Sequence, residues 1–337
     1  MADGSPRLGG IELEHPLVNA AGTCRTVEDA AVFARSACAA VVVGSITLEP
    51  RAGNPGTVFH SARPRGAGAG PFALNALGLP NRGAAFYREQ LPEMTEIVHQ
   101  AGKPIVLSVA GFDTDEYAEL AVVGARGGAD LVELNLGCPN VWDGGRQKRV
   151  VCFDPVRSAA ICRRVAAALS ATVPAGAVPA GAVPAGALPA GGSAPPRFGV
   201  KISPFSDPAA LAELAEALAA LAGTAAAPAY VASANTFPNA LAFDERGRSV
   251  TDVELAGLSG PALRPIALGQ VRQLRALLPA TIDVVGVGGI STGADLLDHL
   301  RAGASAAQAA TAFWSRGGDA GVFGEILAGY AELAGAE

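Results

Sequence analysis

One ten-residue stretch combines several side chains that could do chemistry. In LVELNLGCPN, residues 131–140, an apolar run typical of a buried strand ends in a turn that carries Cys138 between Asn135 and Asn140. A free thiol has a pKa of about 8.5 and ionises with modest help, so Cys138 could act as a general base. The alternative is that Cys138 is a small core residue.

Polar side chains also stand at the ends of other apolar runs. The set comprises Asn19, Ser45, Thr47, Ser108, Asn135, Cys138, Asn140, Lys201, Ser203, Asn235 and Thr236, together with Asn75 in ALNALGLPN. An amide both donates and accepts hydrogen bonds, so several of them suit a flat heterocycle with alternating N–H and C=O groups. The alternative for any one asparagine is that it caps a helix or ties a turn.

Two further features suggest a phosphorylated cofactor. Lys201, one of three lysines in the chain, lies inside the apolar run FGVKIS, where an unpaired charge would be very costly. Gly288 and Gly289 in VGVGGIST, and Thr311 in ATAF, stand where many barrels bind phosphate, although GVGG alone could be a tight turn. Together with the amide array, these features suggest flavin mononucleotide (FMN) with a second planar ring stacked beside it.

The elements that must position these residues alternate between strand and helix. Eight apolar runs of β type recur at 17–23, 39–47, 104–110, 131–137, 197–203, 230–236, 283–289 and 306–313, with helical spacing between them. This pattern predicts an α/β fold, a (β/α)8 TIM barrel that forms a single FMN-binding domain over 1–337. Extended βα loops at 48–81 and 237–260 would shape the C-terminal face. A doubly wound sheet is disfavoured because no G-x-G-x-x-G opens a helix after the first strand.

One segment is of low complexity. The five-residue unit PAGAV recurs within residues 172–194, where proline and glycine forbid a regular helix. We predict an insertion between the fourth helix and the fifth strand, on the barrel face opposite the active site. Such a loop is tolerated there because the entropic cost of closing it grows slowly with its length.

Composition excludes several classes of function. The net charge of −6 and the absence of a basic cluster argue against a nucleic-acid partner. No apolar run reaches the ~18 residues of a membrane span and no secretory signal is evident, so we expect a cytoplasmic protein without a membrane partner. The five cysteines are odd in number and form no C-x-x-C pair, so we expect neither a disulfide framework nor a metal site.

Five motifs in the same order resemble those of the class 1 dihydroorotate dehydrogenases. They are ALNALGLPN, ELNLGCPN, GVKISPFSD, GLSGPALRPIAL and VVGVGGISTGADLLDHLRAGA, and the similarity runs from about residue 8 to residue 333. The resemblance implies a TIM barrel with FMN across its mouth and a pyrimidine stacked on the flavin. It also implies that Cys138 is the catalytic base, on the side of the substrate opposite the flavin.

The resemblance assigns further residues to the two ligands. The cofactor residues would be Ala20, Gly22, Ser45, Ser108, Asn135, Lys201 and Gly260, with the phosphate on Gly288, Gly289, Ala310 and Thr311. The substrate residues would be Asn75, Asn135, Asn140, Asn235 and Thr236, with the backbone N–H groups of Leu77, Gly78 and Leu79 receiving a carboxylate. The loop after Asn140 would close over the substrate, and Cys152 at its far end would be structural.

One departure from the family concerns a cation. The family has a lysine near the end of the second strand, where this chain has Gly44 in VVVGSITLEP. Losing that charge should weaken carboxylate binding and lower the flavin potential, because a charge-assisted hydrogen bond contributes roughly 1.5–3 kcal/mol. Arg25 or Arg51 could compensate; otherwise the substrate lacks the carboxylate, or the enzyme is a divergent paralogue acting on another cyclic amide.

The leading hypothesis is therefore an FMN-dependent oxidoreductase that interconverts a dihydroorotate-like dihydropyrimidine and its unsaturated ring, with hydride transfer to flavin N5. One alternative is a flavin-dependent reductase of a carboxylate-free, uracil-like or other conjugated cyclic amide. Another is a non-redox phosphate-binding barrel. Because the chain lacks cysteine clusters and a dinucleotide fingerprint, we expect a soluble electron acceptor or a separate electron-transfer subunit. By analogy with the family we also expect a homodimer.

Overall fold

A computed structural model describes residues 5–62, 71–143, 146–172 and 195–335. Over this part of the chain a sheet of eight parallel strands is surrounded by helices, and each of the eight apolar runs supplies one strand. The strands are β1 (Leu17–Asn19), β2 (Val41–Ile46), β3 (Ile105–Val109), β4 (Leu131–Asn135), β5 (Arg197–Ile202), β6 (Tyr230–Ser233), β7 (Asp283–Val287) and β8 (Ala306–Ala309). Their order is β1-β8-β7-β6-β5-β4-β3-β2.

The two outer strands of this order, β1 and β2, meet through a side chain. Asn19 donates from Nδ2 to the carbonyl of Val42 and accepts from the backbone N–H of Val42, both at 2.8 Å. Cys24 adds an isolated parallel bridge to Val43. These contacts bring the sheet almost to closure, which confirms the predicted (β/α)8 barrel. Asn19 thus ties two strands together, a role that was neither of the two alternatives, a helix cap or a turn.

Helices cover the outside of the barrel. They are α1 (Val27–Arg35), α2 (Gly83–Gln100), α3 (Thr114–Arg126), α4 (Pro155–Ser170), α5 (Pro208–Ala219), α6 (Arg264–Leu277), α7 (Gly293–Ala302), α8 (Thr311–Ser315) and α9 (Gly321–Ala334), with 3₁₀ turns at Val151–Phe153 and Pro261–Leu263. Capping boxes of Thr26 with Asp29 and of Thr292 with Asp295 begin α1 and α7. Each box satisfies backbone N–H groups that the first turn leaves free, which fixes where the chain turns back from the barrel mouth.

A short hairpin closes the N-terminal end of the barrel. Arg7–Leu8 pairs antiparallel with Ile11–Glu12, and Leu8 is fully buried in the same cluster as Leu131 and Tyr230. The backbone N–H of Gly10 donates to the carboxylate of Asp283 at 2.9 Å. The hairpin thereby fills the barrel interior at the N-terminal end of the strands, and space for a ligand remains at their C-terminal end.

The two long βα loops form a second sheet that the sequence analysis missed. Phe237–Ala240, Ala256–Ser259, Phe72–Asn75 and Phe59–Ala62 lie side by side, in that order, as an antiparallel sheet, which we call the upper sheet. Asn75 is the last residue of its strand and pairs with both Phe59 and Gly257. The upper sheet therefore holds one of the predicted substrate residues in regular structure.

Two further expectations concern parts of the chain around the barrel. Residues 173–194 of the low-complexity insertion lie outside the described residues, so its placement stays a prediction. The loop after Asn140 contains a short antiparallel pair, Trp142–Asp143 with Arg146–Gln147, before the 3₁₀ turn. None of the described helices is both long enough and apolar enough to cross a bilayer.

Candidate active site

A cleft opens between the C-terminal ends of the barrel strands and the upper sheet. It encloses about 1050 Å³ when its open mouth and the adjoining solvent space are included. The predicted residues that line it are Ala20, Gly22, Ser45, Asn75, Leu77, Gly78, Leu79, Asn135, Cys138, Asn140, Lys201, Asn235, Thr236, Gly260, Gly288, Gly289, Ala310 and Thr311. The barrel thus brings together residues that are separated by up to 291 positions in the sequence.

Ser108 is the one residue assigned to a ligand that does not line this cleft, and Asn19, Thr47 and Ser203 of the wider polar set do not line it either. Ser108 is fully buried on β3, and its Oγ lies 2.8 Å from the Oγ of Ser45. Ser45 in turn accepts a hydrogen bond from Nδ2 of Asn135 at 2.8 Å. Ser108 therefore stands one layer behind the wall, where it can orient Ser45 but cannot reach a ligand directly.

Amide side chains line the cleft in two hydrogen-bonded pairs, which together we call the amide wall. Asn235 donates from Nδ2 to Oδ1 of Asn135 at 3.1 Å. On the upper-sheet side, Asn140 donates from Nδ2 to the backbone carbonyl of Asn75 at 2.6 Å. These contacts fix the amide planes before a ligand binds, as a site that reads N–H and C=O groups of a ring requires.

Thr236 leaves a polar atom without a partner. Its Oγ1 is buried and makes no hydrogen bond within the described residues, although the residue lines the cleft. A buried hydroxyl without a partner costs about 1–3 kcal/mol. The hydroxyl packs against Gly257 of the upper sheet, where an added Cβ would overlap it.

The turn at residues 77–79 offers backbone donors, but fewer than predicted. The N–H of Leu77 already donates to Oδ1 of Asn75 at 3.0 Å. Gly78 and Leu79 both have positive φ, 74° and 59°, and their N–H groups have no acceptor in the described part of the chain. Positive φ is rare for leucine, so this turn holds an unusual conformation that leaves two donors at the cleft.

The thiol of Cys138 lies at the cleft wall but is not primed to ionise. The residue is partly exposed, yet protein atoms surround the sulfur, and this burial raises the pKa of the Cys138 thiol above its ordinary value. The backbone N–H of Asn140 and the charges of Arg51, Lys148 and Lys201 act in the opposite direction without offsetting burial. From the sequence we expected the surroundings of Cys138 to give the thiol modest help in ionising. In the structure their net effect opposes ionisation, because burial outweighs the nearby charges.

A second, small cavity lies on the other side of Cys138. Its volume of about 20 Å³ is enough for about one water molecule, and Tyr117 and Lys148 line it together with Cys138. Lys148 donates from Nζ to the carbonyl of Gly111 at 3.0 Å, and burial lowers the pKa of Lys148 to about 8. Cys138, Asn135 and Leu79 line both the cleft and this cavity, and most of the cavity's other lining residues are apolar.

The glycine turn after β7 has the features of an anion site. Gly288 and Gly289 have φ values of 125° and 77°, and a side chain at Gly289 would collide with α6 at Arg264. The backbone N–H groups of Gly289 and Thr311 find no acceptor among the described residues. Two adjacent strand ends thus present free donors to the cleft, as phosphate binding requires.

Gly22 marks the space for a planar group. Its φ is 94°, it lines the cleft, and a Cβ built on it would meet nothing within 4 Å. The turn after β1 thus presents bare backbone to open space, against which a flat ring could lie. The free N–H groups, the amide wall and this bare surface offer an anion site beside a surface for a flat ring.

Lys201 is buried and has a charged neighbour that the sequence analysis missed. Its Nζ donates to Oε1 of Gln308 at 2.9 Å and lies 3.9 Å from Oε1 of Glu133. Glu133 and Gln308 are fully buried inside the barrel. The signal in the sequence was a charged or amide residue inside the apolar runs LVELNLG and AAQAA, which alternation places on the inward face of each strand.

The environment of Gly44 explains why no side chain stands there. Gly44 has φ of 94°, and an added Cβ would overlap the backbone carbonyl oxygen of Ser108. Of the two candidate cations, Arg25 lines the cleft and donates from Nη2 to the carbonyl of Gly22 at 2.9 Å. Arg51 does not line it, and donates instead from Nε to the carbonyl of Gly78 at 3.3 Å, behind the turn.

Cys152 has the packing of a structural residue. It is fully buried, its Sγ accepts from the backbone N–H of Ser203 at 3.2 Å, and its own N–H donates to Leu136. It thus joins the end of the loop after Asn140 to the tips of β4 and β5. Within the described residues no group of three or more His, Cys, Asp or Glu could hold a metal ion.

Comparison with known proteins gives one consistent family. The family model for dihydroorotate dehydrogenase matches residues 6–330. The catalytic subunit of dihydroorotate dehydrogenase B (NAD⁺) from Bacillus pumilus is 30% identical over 310 residues, which cover 90% of this chain and 84% of that protein. Dihydroorotate dehydrogenase A (fumarate) from Lacticaseibacillus paracasei is 32% identical over 305 residues, which cover 89% of this chain and 88% of that protein.

Proposed function

Because this chain belongs to the dihydroorotate dehydrogenase family, a family of flavin-dependent oxidoreductases, we propose that it uses FMN to interconvert a dihydroorotate-like dihydropyrimidine and its unsaturated ring. The observation that carries the proposal is the convergence of Cys138, the amide wall and the glycine turn of Gly288 and Gly289 on one cleft. The thiol supplies a base, the amides a ring-binding surface, and the glycine turn an anion site.

The cofactor would be held by backbone and by one cation. The N–H groups at Gly289 and Thr311 would take the phosphate, Gly22 would leave room for the flat ring, and Lys201 would meet its polar edge. A bound FMN would supply the acceptor for the hydride that leaves the substrate. Most contacts of the cofactor would therefore come from the tips of β1, β5, β7 and β8.

Substrate binding would depend on the amide wall. Asn135 and Asn235 would contact one edge of the ring, while Asn75 and Asn140 would contact it from the upper sheet. Thr236 would line the same wall, with its hydroxyl packed against Gly257 of the upper sheet. When the substrate ring is enclosed between these groups, water is excluded and the C–H bonds that are to break are aligned.

Cys138 would remove one proton from the substrate. The thiolate would take the proton from one ring carbon while the hydride leaves the neighbouring carbon on the opposite side. The proton on the sulfur must then return to solvent, and the small cavity that Cys138 and Lys148 both line would offer it a path. The reverse sequence would protonate and reduce the unsaturated ring.

The test is anaerobic flavin reduction by dihydroorotate in the purified protein. We expect bleaching of the flavin absorbance, and a rate that falls by about 10²–10⁴ in Cys138→Ala, the usual contribution of a general base. Cys162→Ala is the matched control, because Cys162 is buried in α4 away from the cleft. A colourless protein that does not bind added FMN would contradict the proposal and favour the non-redox barrel.

A second candidate substrate lacks the carboxylate. Two observations favour it. The N–H of Leu77 already donates to Asn75, and position 44 has no room for a cationic side chain in place of glycine. The same assay with dihydrouracil separates the two. Faster bleaching with dihydrouracil than with dihydroorotate would identify a carboxylate-free ring as the substrate.

The electron acceptor of the reduced flavin is either a soluble molecule such as fumarate or a separate electron-transfer subunit. One relative is named for fumarate and another is named as the catalytic subunit of an NAD⁺ enzyme, at similar identity. Fumarate-dependent reoxidation of the reduced protein would assign a soluble acceptor. Failure with fumarate would point to a separate electron-transfer subunit, and a homodimer stays a prediction in either case.

A further inference from the structure

A layer of charged and polar side chains crosses the barrel interior next to the cleft. Glu133 on β4, Lys201 on β5 and Gln308 on β8 are all buried, where barrels usually place branched aliphatic residues. Taking two charges out of water costs several kcal/mol per ion unless good contacts replace the solvent. Such a layer therefore calls for an explanation beyond packing.

Gln308 bridges the two charges. Its Oε1 accepts from Lys201 Nζ at 2.9 Å, while its Nε2 donates to Oε2 of Glu133 at 2.8 Å. The direct distance from Lys201 Nζ to Oε1 of Glu133 is 3.9 Å. The cation on one side and the anion on the other fix the orientation of the amide, so the three groups form one directed chain.

Glu133 is also held from two further strands. The hydroxyl of Tyr230 on β6 donates to its Oε2 at 3.3 Å, and Oγ of Ser108 on β3 donates to its Oε1 at 3.4 Å. Ser108 contacts Ser45, which accepts from Asn135, and these last two line the cleft. The carboxylate of Glu133 thus connects the interior to two walls of the candidate site.

Lys201 keeps donors for a ligand. Its ammonium carries three N–H bonds, and Gln308 is its one hydrogen-bond acceptor in the described part of the chain. Lys201 and Gln308 line the cleft, whereas Glu133 does not. The remaining N–H bonds are therefore available to acceptor atoms of a group bound in the cleft.

We propose that Glu133 is a positioning residue of the active site, which through Gln308 aims the ammonium of Lys201 into the cleft and keeps it protonated against the polar edge of the bound flavin. This inference rests on the proposed function for the identity of the ligand. Its structural half, the control of Lys201 by Glu133, does not depend on the ligand.

The balance at Lys201 gives the expected direction of change. Burial lowers the pKa of Lys201, and the negative charge of Glu133 opposes that effect. The titratable groups that face the ammonium are Glu133 and Cys138, while Tyr230 faces Glu133 and stays protonated because its pKa is raised by burial and by that carboxylate. Without the negative charge of Glu133, burial would act nearly alone on the pKa of Lys201 and would lower it further.

The experiment measures the protonation of Lys201 directly. The chain has only three lysines, so ¹⁵N-lysine labelling gives three Nζ resonances, and that of Lys201 is assigned by its absence in Lys201→Met. The titration is carried out on the apoprotein of the full chain, for wild type, Glu133→Gln and Tyr230→Phe. Tyr230→Phe is the control because it removes a contact of Glu133 and leaves both charges in place.

In Glu133→Gln we expect the titration midpoint of Lys201 to fall by about one pH unit or more, as loss of one nearby opposite charge does. In Tyr230→Phe we expect little change. FMN affinity, followed by fluorescence quenching, should fall about tenfold or more with rising pH over the titration of Lys201 in Glu133→Gln. This pH dependence should disappear in the double variant with Lys201→Met.

An unchanged Lys201 midpoint in Glu133→Gln would overturn the inference. If that variant does not fold, Glu133→Asp serves instead, because it keeps the charge but withdraws it from Gln308 and should move the midpoint in the same direction. The two proposals fail differently. A lowered midpoint in a protein that never binds FMN would refute the proposed function alone, whereas FMN binding with an unchanged midpoint would refute the inference alone.

Discussion

Cys138 shows at the scale of one residue how burial sets chemistry. The proposed reaction needs a thiolate, yet burial raises the pKa of this thiol. The neutral form therefore predominates at neutral pH, and the thiolate fraction grows tenfold per pH unit below the pKa. A protein that places its base in this way works better as the pH rises.

We therefore expect the rate of flavin reduction by the dihydropyrimidine to increase with pH to a midpoint above the ~8.5 of a free thiol. Stopped-flow measurements between pH 6 and 10 would show it. In Cys138→Ser the rise should move to higher pH, because a hydroxyl is harder to ionise. A rate independent of pH over this range would contradict the role of Cys138 as base.

A second prediction for a single residue concerns Gly44. Its φ of 94° suits glycine alone, and a Cβ added there would overlap a backbone carbonyl oxygen. We expect Gly44→Ala to lower the free energy of unfolding by about 3 kcal/mol, from backbone strain plus overpacking. Gly102→Ala is the matched control: its φ is 72° but nothing lies within 4 Å, so about 1 kcal/mol is expected. Urea denaturation measures both, and equal losses would show that the overlap is relieved without cost.

At the scale of elements, the upper sheet decides the shape of the cleft. Its strands come from two loops that are more than 150 residues apart, and Asn75 and Gly257 pair across it. Gly257 packs against the side chains of Thr236 and Asn140, and an added Cβ would overlap Oγ1 of Thr236. The sheet therefore presses directly on the proposed substrate wall.

Gly257→Ala should accordingly weaken substrate binding without a comparable effect on the cofactor. We expect the KM for the dihydropyrimidine to rise about tenfold, a loss of about 1.4 kcal/mol, while the FMN affinity stays near wild type. Gly269→Ala is the control, because Gly269 lies in α6 with nothing within 4 Å of its added Cβ. If the affinity for FMN fell as much as the affinity for the substrate, the upper sheet would contact the cofactor instead.

At the scale of the whole molecule, ligand binding and folding are coupled. The cleft draws on the tips of strands from all around the barrel, so a bound cofactor would link elements that otherwise meet only through the sheet. A ligand that binds the folded state alone stabilises it by an amount set by its concentration relative to Kd. Stability is therefore a readout of binding that does not depend on turnover.

We expect FMN at 100 times its Kd to stabilise the protein by about 2.7 kcal/mol, seen as a rise in Tm. Riboflavin at the same concentration should give a smaller rise, because it lacks the phosphate for the donors at Gly289 and Thr311. Differential scanning fluorimetry compares the two ligands. Equal rises would argue against a phosphate site at the glycine turn.

Local sequence patterns were enough to predict the barrel and much of the candidate site. Strand-helix alternation places the C-terminal ends of parallel strands at one mouth, so polar residues at the ends of the runs had to converge there. This reasoning found Cys138, Lys201 and the asparagines of the cleft. It could not separate Asn19, which ties β1 to β2, from Asn135, which lines the cleft, because both stand at the end of a strand.

Which side chains meet across the barrel could not be predicted from local patterns, because it depends on the packing of distant strands. Glu133 and Gln308 lie 175 positions apart, and their contact depends on the closure of the sheet and on the inward direction of both side chains. The same closure moved Ser108 behind Ser45 and paired two loops into the upper sheet. Local patterns of hydrophobicity fix the direction and face of a strand, whereas distances between strands depend on the packing of the whole chain.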